Sequence, residues 1–178
     1  MVMLCLLVSG NWPFDSMKIS KEGVLVLASA KRLAEEYMNK SFNYDFPEGL
    51  SKLLDENSII ALTTSDGDSI VLDILSDEEK LIGDFYKVIT QWIELKSNDQ
   101  ILILSHAEFT QICTKKGDYK IYGWPVKKMD KEQGLYKVKI GIDDFRDNFD
   151  EIEAYFRLTI SITRSEQNEP NQVTEIAF

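Results

Sequence analysis

The chain has 178 residues, 44% apolar and 28% charged, with a net charge of −10. These values describe a single globular domain that can bury a core without disulfides or metal, and they exclude a disordered chain. They also argue against a free-standing nucleic-acid binder, which needs a local excess of Lys and Arg against phosphate, and they suit a basic partner.

Residues 2–8 form an unbroken apolar run, read as a buried strand. A short signal peptide is the alternative. The run lacks a basic leader, however, and Gly10-Asn11-Trp12-Pro13 after it is turn chemistry rather than a small-residue cleavage site. Met17 offers an alternative start. No stretch reaches the roughly 18 apolar residues of a membrane span, so no membrane partner is expected. Residues 17–20 suggest a short strand, and residues 24–28 a second, wholly apolar one. Ser29 then suits a helix N-cap. Over residues 30–40, Leu33, Ala34, Tyr37 and Met38 recur at helical spacing.

Residues 41–46 are an aromatic loop. Pro47 opens a short helix that ends near Asn57 and buries Leu50, Leu53 and Leu54. Strands follow at 59–63 and 70–75, and Asp66-Gly67 between them predicts a hairpin. Another strand is predicted in 84–95, with residues 101–104 pairing back on it through a turn at 96–99. Ser105 and Glu108 have the spacing of a capping box, which starts a helix over 105–113. Trp124-Pro125 breaks the next segment, since proline cannot donate into a ladder.

From residue 134 the pattern is clearest. Tyr136, Val138, Ile140 and Ile142 alternate with Lys137, Lys139 and Gly141. Phe156, Leu158, Ile160 and Ile162 then alternate with Tyr155, Arg157, Thr159 and Ser161. Side chains on a strand alternate faces, so these are two amphipathic strands of an antiparallel hairpin with a broad, acidic loop. Residues 167–171 are polar, and 173–178 form a final edge strand or a loose tail. The fold class is therefore α+β: a mostly antiparallel, sandwich-like β core with two or three flanking helices.

Catalytic templates fail one after another. His106 is the single histidine, at a helix start, and Cys113 lies seven residues beyond it on one helix face. No third group orients such a pair, so His106 reads as a helix-start residue. Cys5 and Cys113 read as small buried hydrophobes, which places the chain in a reducing compartment such as the cytoplasm. Asp66, Asp68 and Asp73 miss the spacing of a calcium loop. Phosphate-binding glycine motifs are absent. No catalytic residue, cofactor or metal is expected, and the chain reads as a non-enzyme.

Two charge features remain. Asp143, Asp144, Asp147, Asp150, Glu151 and Glu153 crowd one loop against Arg146 alone, with Phe145 and Phe149 interleaved. Either this is a solvated loop with tucked aromatics, or it is an acidic-aromatic surface for a basic protein, in which charge speeds encounter and rings hold the complex. Lysines 115, 116, 120, 127, 128, 131, 137 and 139 form the second feature, which reads as a Lys-decorated sheet edge that discourages aggregation. Without arginine it makes a poor nucleic-acid patch.

The run Gly134-Leu135-Tyr136-Lys137-Val138-Lys139-Ile140, the acidic insert, and Glu153-Ala154-Tyr155-Phe156-Arg157-Leu158 together resemble the C-terminal part of small acidic bacterial immunity proteins found beside secreted toxins. The resemblance covers about a fifth of the chain. It implies a cytoplasmic protein that neutralises a toxin by binding and carries no catalytic residue. The alternatives are a small-ligand or enzyme domain, with a pocket between sheet and helices lined by Trp12, Tyr44 or Trp92, and a structural homo-oligomer subunit.

Overall fold

A computed structural model describes residues 15–19, 24–38, 48–64, 69–75, 81, 84–114, 127–144 and 155–176. The described residues form ten strands in two five-stranded sheets, and three α-helices. In chain order they are β1 (Asp15–Ile19), β2 (Val24–Ser29), α1 (Ala30–Tyr37), α2 (Ser51–Asp55), β3 (Ile59–Thr64), β4 (Ser69–Ile74) and β5 (Lys87–Leu95). Next come β6 (Gln100–Ser105), α3 (His106–Thr114), β7 (Lys127–Asp130), β8 (Gly134–Asp144), β9 (Tyr155–Arg164) and β10 (Thr174–Ile176). One sheet runs β1-β4-β9-β8-β5 and the other β10-β3-β2-β6-β7. Most pairs are antiparallel. β4 with β9 and β10 with β3 are parallel. The fold is α+β, as the sequence predicts.

Hydrophobic pattern decides which sheet a strand joins. β2, β3 and β6 are apolar on both faces, and Leu25 to Ala28, Ile59 to Leu62 and Ile101 to Leu104 are all essentially inaccessible. Such strands need cover on both sides, so they form the middle layer. One face, with Leu25, Leu27, Ile60, Leu62, Ile101 and Ile103, packs on the other sheet. The opposite face, with Val26, Ala28, Ile59, Ala61, Leu102 and Leu104, packs under the helices through Leu33, Leu53, Phe109 and Ile112. β5, β8 and β9 send large apolar side chains into the core at alternate positions: Ile89, Ile93, Val138, Ile140, Ile142, Leu158, Ile160 and Ile162. They make an outer sheet with one core face. Each fully buried Ile or Leu contributes roughly 1.5–3 kcal/mol, so a strand placed in the wrong layer forfeits several such contributions.

This division corrects two predicted pairings. β3 and β4 are not a hairpin: β3 lies in the middle sheet and β4 in the outer sheet. The turn at Asp66-Gly67 lies outside the described residues. Nor does β6 pair back on β5, because β5 bonds to β8 while β6 bonds to β2 and β7. In both cases a short connection joins a one-faced strand to a two-faced one and crosses between layers. The turn-like residues signal a reversal but not a shared sheet.

Local signals hold well. Ser29 accepts the amide of Arg32 at 3.1 Å, which caps α1. Asp99, buried on the loop after β5, adds to that cap: its carboxylate accepts from Ser29 Oγ (2.6 Å) and from the amides of Lys31 (3.0 Å), Lys96 (3.2 Å) and Gln100 (2.8 Å). The capping box at α3 is reciprocal, with Ser105 N–H to Glu108 Oε2 at 2.7 Å and Glu108 N–H to Ser105 Oγ at 3.3 Å. α1 stops at Tyr37, earlier than predicted. Met38 leaves the apolar face with an extended ψ of 120° and is exposed. Asn57 ends the α2 segment at φ 51°, a left-handed conformation that Asn tolerates.

The polar segment 165–173 clasps the layers together. Asn171 Nδ2 donates to Ile59 O (2.7 Å) in the middle sheet and to Trp92 O (2.6 Å) in the outer one, while its Oδ1 accepts the Trp92 amide (2.9 Å). The carboxamide thus stands in for a neighbouring strand at the free edge of β5. Gln91 Nε2 donates to Gln172 O at 2.7 Å and to Thr174 Oγ1 at 2.9 Å, tying β5 to β10.

Candidate functional site

β8 and β9 pair in continuous register from Tyr136↔Arg164 to Asp144↔Phe156. β8 is flanked by β5 on its other side and β9 by β4, so the hairpin is the centre of the outer sheet. The acidic connection therefore leaves and re-enters the sheet between Asp144 and Tyr155, at one end of its two central strands. Of the predicted partner-binding residues, Asp143 is described with its side chain and Asp144 as a strand residue. Phe145, Asp147, Phe149, Asp150, Glu151 and Glu153 lie outside the described residues.

The root of the connection is built from three charged side chains on three adjacent strands. Asp143 faces Arg157 across β8 and β9. Arg157 Nε donates to Asp73 Oδ2 on β4. The Asp73 side chain is 4% exposed and that of Arg157 is 38% exposed, so a buried carboxylate grips the guanidinium from below while its other side meets water. Asp143 is half-buried. Burial pushes its carboxyl above the usual range, and the nearby Arg157 partly offsets the rise. One guanidinium thus serves two carboxylates at this point, leaving an excess of negative charge. Asp73 and Arg157 escaped the sequence reading as a pair. Arg157 reads as a wet-face strand residue and Asp73 as one of three aspartates that miss the spacing of a calcium loop, and only the parallel pairing of β4 with β9 brings them together.

Beside this root the outward face is unusually apolar. Gly141, in the middle of β8, sits under the ring of Phe85, and a Cβ there would lie 2.5 Å from Phe85 Cδ1. Only a residue without a side chain lets the ring lie on the sheet. Tyr86 donates its amide to Ile142 O at 3.0 Å, which holds residue 86 against the end of β8. A sequence signal for this patch did exist: Val88 and Tyr86 are apolar in the same phase as Thr90 and Glu94, the wet phase of β5.

The lysine-rich segment divides. β7 is an edge strand of the middle sheet, with Lys128 and Asp130 exposed, as a protective charged edge requires. Lys137 and Lys139 lie on the outward face of β8. At the far end of the hairpin, a cavity of about 430 Å³ is lined by Asp130, Lys131, Glu132, Tyr136, Ile162, Thr163 and Arg164. Burial lowers the pKa of Lys131. Arg164 is bonded to Glu132 Oε2 (2.8 Å) and Gln133 O (3.1 Å) and lies 5.8 Å over the Tyr136 ring. The cleft's charges thus answer one another within the chain. It is not the pocket anticipated between sheet and helices: Trp12 and Tyr44 lie outside the described residues, and Trp92 belongs to the outer sheet.

Cys113, on α3, is wholly buried and packs in one cluster with Tyr37 of α1. Burial pushes its thiol up to about 12 and raises the Tyr37 hydroxyl as well, with the neighbouring Cys113 adding to that rise. A thiol so placed is protonated at neutral pH and is no nucleophile. Among the described residues, no three His, Cys, Asp or Glu side chains gather to hold a metal ion, and no helix is long and apolar enough to cross a membrane.

No protein-family model matches the chain, and no curated protein matches its sequence. Two solved structures are similar in fold. ComJ of Bacillus subtilis, an inhibitor of the DNA-degrading activity of NucA, is 11% identical with a TM-score of 0.44, over 84% of this chain and 95% of that one. The product of crocagin biosynthetic gene J is 9% identical with a TM-score of 0.49, over 81% of this chain and 94% of that one. Neither likeness bears on what this chain binds.

Proposed function

We propose that the chain is a single-domain, non-enzymatic binding protein of the immunity type, which neutralises a basic toxin or effector in a reducing compartment such as the cytoplasm. The observation that carries the reading is the connection 143–154. It holds six carboxylates against one guanidinium, half of the chain's net charge of −10, and springs from the two central strands of a five-stranded sheet. A charge cluster on a rigid base steers an oppositely charged partner without itself needing to be ordered. Asp143, Asp144, Asp147, Asp150, Glu151 and Glu153 supply the attraction, and Phe145 and Phe149 supply the apolar contact.

The test is affinity purification from the native host with the full chain as bait, in parallel with a variant carrying Asp147→Asn, Asp150→Asn and Glu151→Gln. The reading expects a basic protein that is retained at low salt by the parent, released as salt rises, and lost from the variant. Retention of no basic protein by the parent, or equal retention by both baits, overturns it.

A further inference from the structure

We propose that Tyr86 and Val88, beside the root of the acidic connection, form the apolar anchor of the docking surface. The segment they receive is a basic one that alternates arginine or lysine with aliphatic side chains. The proposal rests on the binding role above and adds to it where the partner is held and what it must present.

Three observations carry it. The first is exposure. Tyr86 is 64% and Val88 52% exposed, and they make up two of the three exposed large apolar side chains among the described residues. Single exposed apolar residues are ordinary on protein surfaces. Two of them two positions apart, beside the Phe85 ring that lies over Gly141, make a patch. The second is rigidity. Val88 lies opposite Gly141, Phe85 covers Gly141, and the Tyr86 amide is bonded to Ile142 O. An aromatic held on a sheet loses little freedom on binding, which is what a contact hot spot requires.

The third observation is charge. Asp84 is exposed beside the patch, and Asp143 and Asp144 end the neighbouring strand. Among the described residues, two bases at this end bond within the chain: Arg157 to Asp73, and the exposed Lys87, through Nζ, to the Glu175 carbonyl at 3.2 Å. Lys139, exposed two pairs further along β8, marks the limit of the acidic zone. An occupant here meets rings under its apolar side chains and carboxylates around its edge. In an extended segment alternate side chains face opposite ways, so alternation of aliphatic and basic residues presents one apolar face to the patch with basic residues at its margins. A second copy of this chain would bring the same negative charge to the same place.

The experiment uses the full chain and three twelve-residue probe peptides: alternating Arg and Leu, alternating Arg and Ser, and alternating Glu and Leu. Affinities are measured by calorimetry at low salt, with amide shifts followed by NMR and self-association by sedimentation. The Arg/Leu peptide is expected to bind about tenfold or more tighter than Arg/Ser, with shifts at Tyr86, Val88 and Gly141. The Tyr86→Ser, Val88→Ser double variant, at exposed positions that leave the fold intact, should erase that ratio while keeping the Arg/Ser affinity. Equal binding of the two cationic peptides to the parent overturns this inference and leaves the acidic reading standing. A preference for Leu that survives the double variant also overturns it, as does concentration-dependent dimerisation abolished by the same variant. Unchanged binding of Arg/Leu when Asp147, Asp150 and Glu151 are neutralised, or equal binding of Glu/Leu, keeps the apolar anchor but removes the acidic role.

Discussion

Removing the guanidinium of Arg157 should test whether the acidic connection stands on a built foundation. In the native chain Arg157 Nε is bonded to Asp73, whose side chain is 4% exposed. Arg157→Gln leaves that carboxylate buried without its cation. Breaking a fully buried ion pair from one side costs about 3–5 kcal/mol, whereas exposed pairs are worth about 1 kcal/mol or less. The Arg157 side chain is 38% exposed, so water reaches one partner and screens the other, and a loss near 2 kcal/mol follows. Asp73→Asn should cost less, about 1 kcal/mol, because the guanidinium it abandons already meets water. In the double variant two neutral amides face each other and neither ion is stranded. The double loss should therefore fall short of the sum by about 1–2 kcal/mol.

Urea unfolding of the four chains closes this cycle, with Arg157→Gln moving the midpoint by about 1 M at an ordinary slope for a chain of this size. The ordering of the two single variants is as informative as the coupling. Strict additivity, or Asp73→Asn proving the more costly, would falsify the geometry in which a buried carboxylate holds a half-exposed guanidinium. If the cycle closes as expected, Arg157→Gln should also weaken binding of cationic peptides only modestly. It removes a positive charge from the face while loosening the base from which the connection springs.

Three further outcomes follow from the same geometry. Asp143 has its pKa raised on folding by burial, so the stability this protonated carboxyl contributes is complete below its ordinary value of 3.8 and is lost as pH rises through the folded value. Asp143→Asn should accordingly gain in melting temperature relative to the parent as pH goes from 3 to 7, and a parent that gains instead refutes the assignment. Asn171→Ala removes two donated bonds and one accepted bond between the layers. It should cost about 2–3 kcal/mol and release the Trp92 amide to hydrogen exchange ahead of the rest of β5, whereas uniform exchange along the strand would deny the clasp. Cys113, with its thiol at about 12 in a closed helix interface, should resist alkylation at pH 8 in the native chain and react fully in urea, with the modified peptide identified by mass spectrometry.

The layer a strand occupies was written in its period. Val24-Leu25-Val26-Leu27-Ala28 and Ile101-Leu102-Ile103-Leu104 have no polar phase, and they lie where neither face meets water. Tyr136 to Ile142 has one, and it lies where one face does. Caps were equally legible, because Ser29 and the Ser105/Glu108 box act within four residues of themselves. What failed was partner choice. Nothing in Asp66-Gly67 distinguishes a reversal within a sheet from a crossing between sheets, since both need a tight turn. The difference lies in the strands on either side, one apolar on both faces and one on a single face. The root of the site was illegible for a related reason. Asp73 and Arg157 are 84 residues apart, and a parallel pairing between β4 and β9 leaves no local mark on either. Tyr86 and Val88 were legible in principle, as apolar residues in the polar phase of a strand.

A charge arrangement that disfavours the free protein is the strongest reason to look for a partner at this end. Asp143 is held half-buried where its ionised form is disfavoured, and among the described residues the guanidinium that faces it, Arg157, is shared with Asp73. Folding alone would favour an asparagine at position 143, or a second base nearby. A cation arriving from outside would lower the pKa of Asp143 again and relieve the repulsion within 143–154, so binding free energy would include strain released from the unbound state. Two consequences separate this view from that of a merely solvated loop. The bound complex should be stabilised most above the folded pKa of Asp143, where its carboxylate is ionised. Binding near that pKa should also release a fraction of a proton, which calorimetry in buffers of different ionisation enthalpy can count. A solvated loop predicts neither the proton release nor the pH dependence.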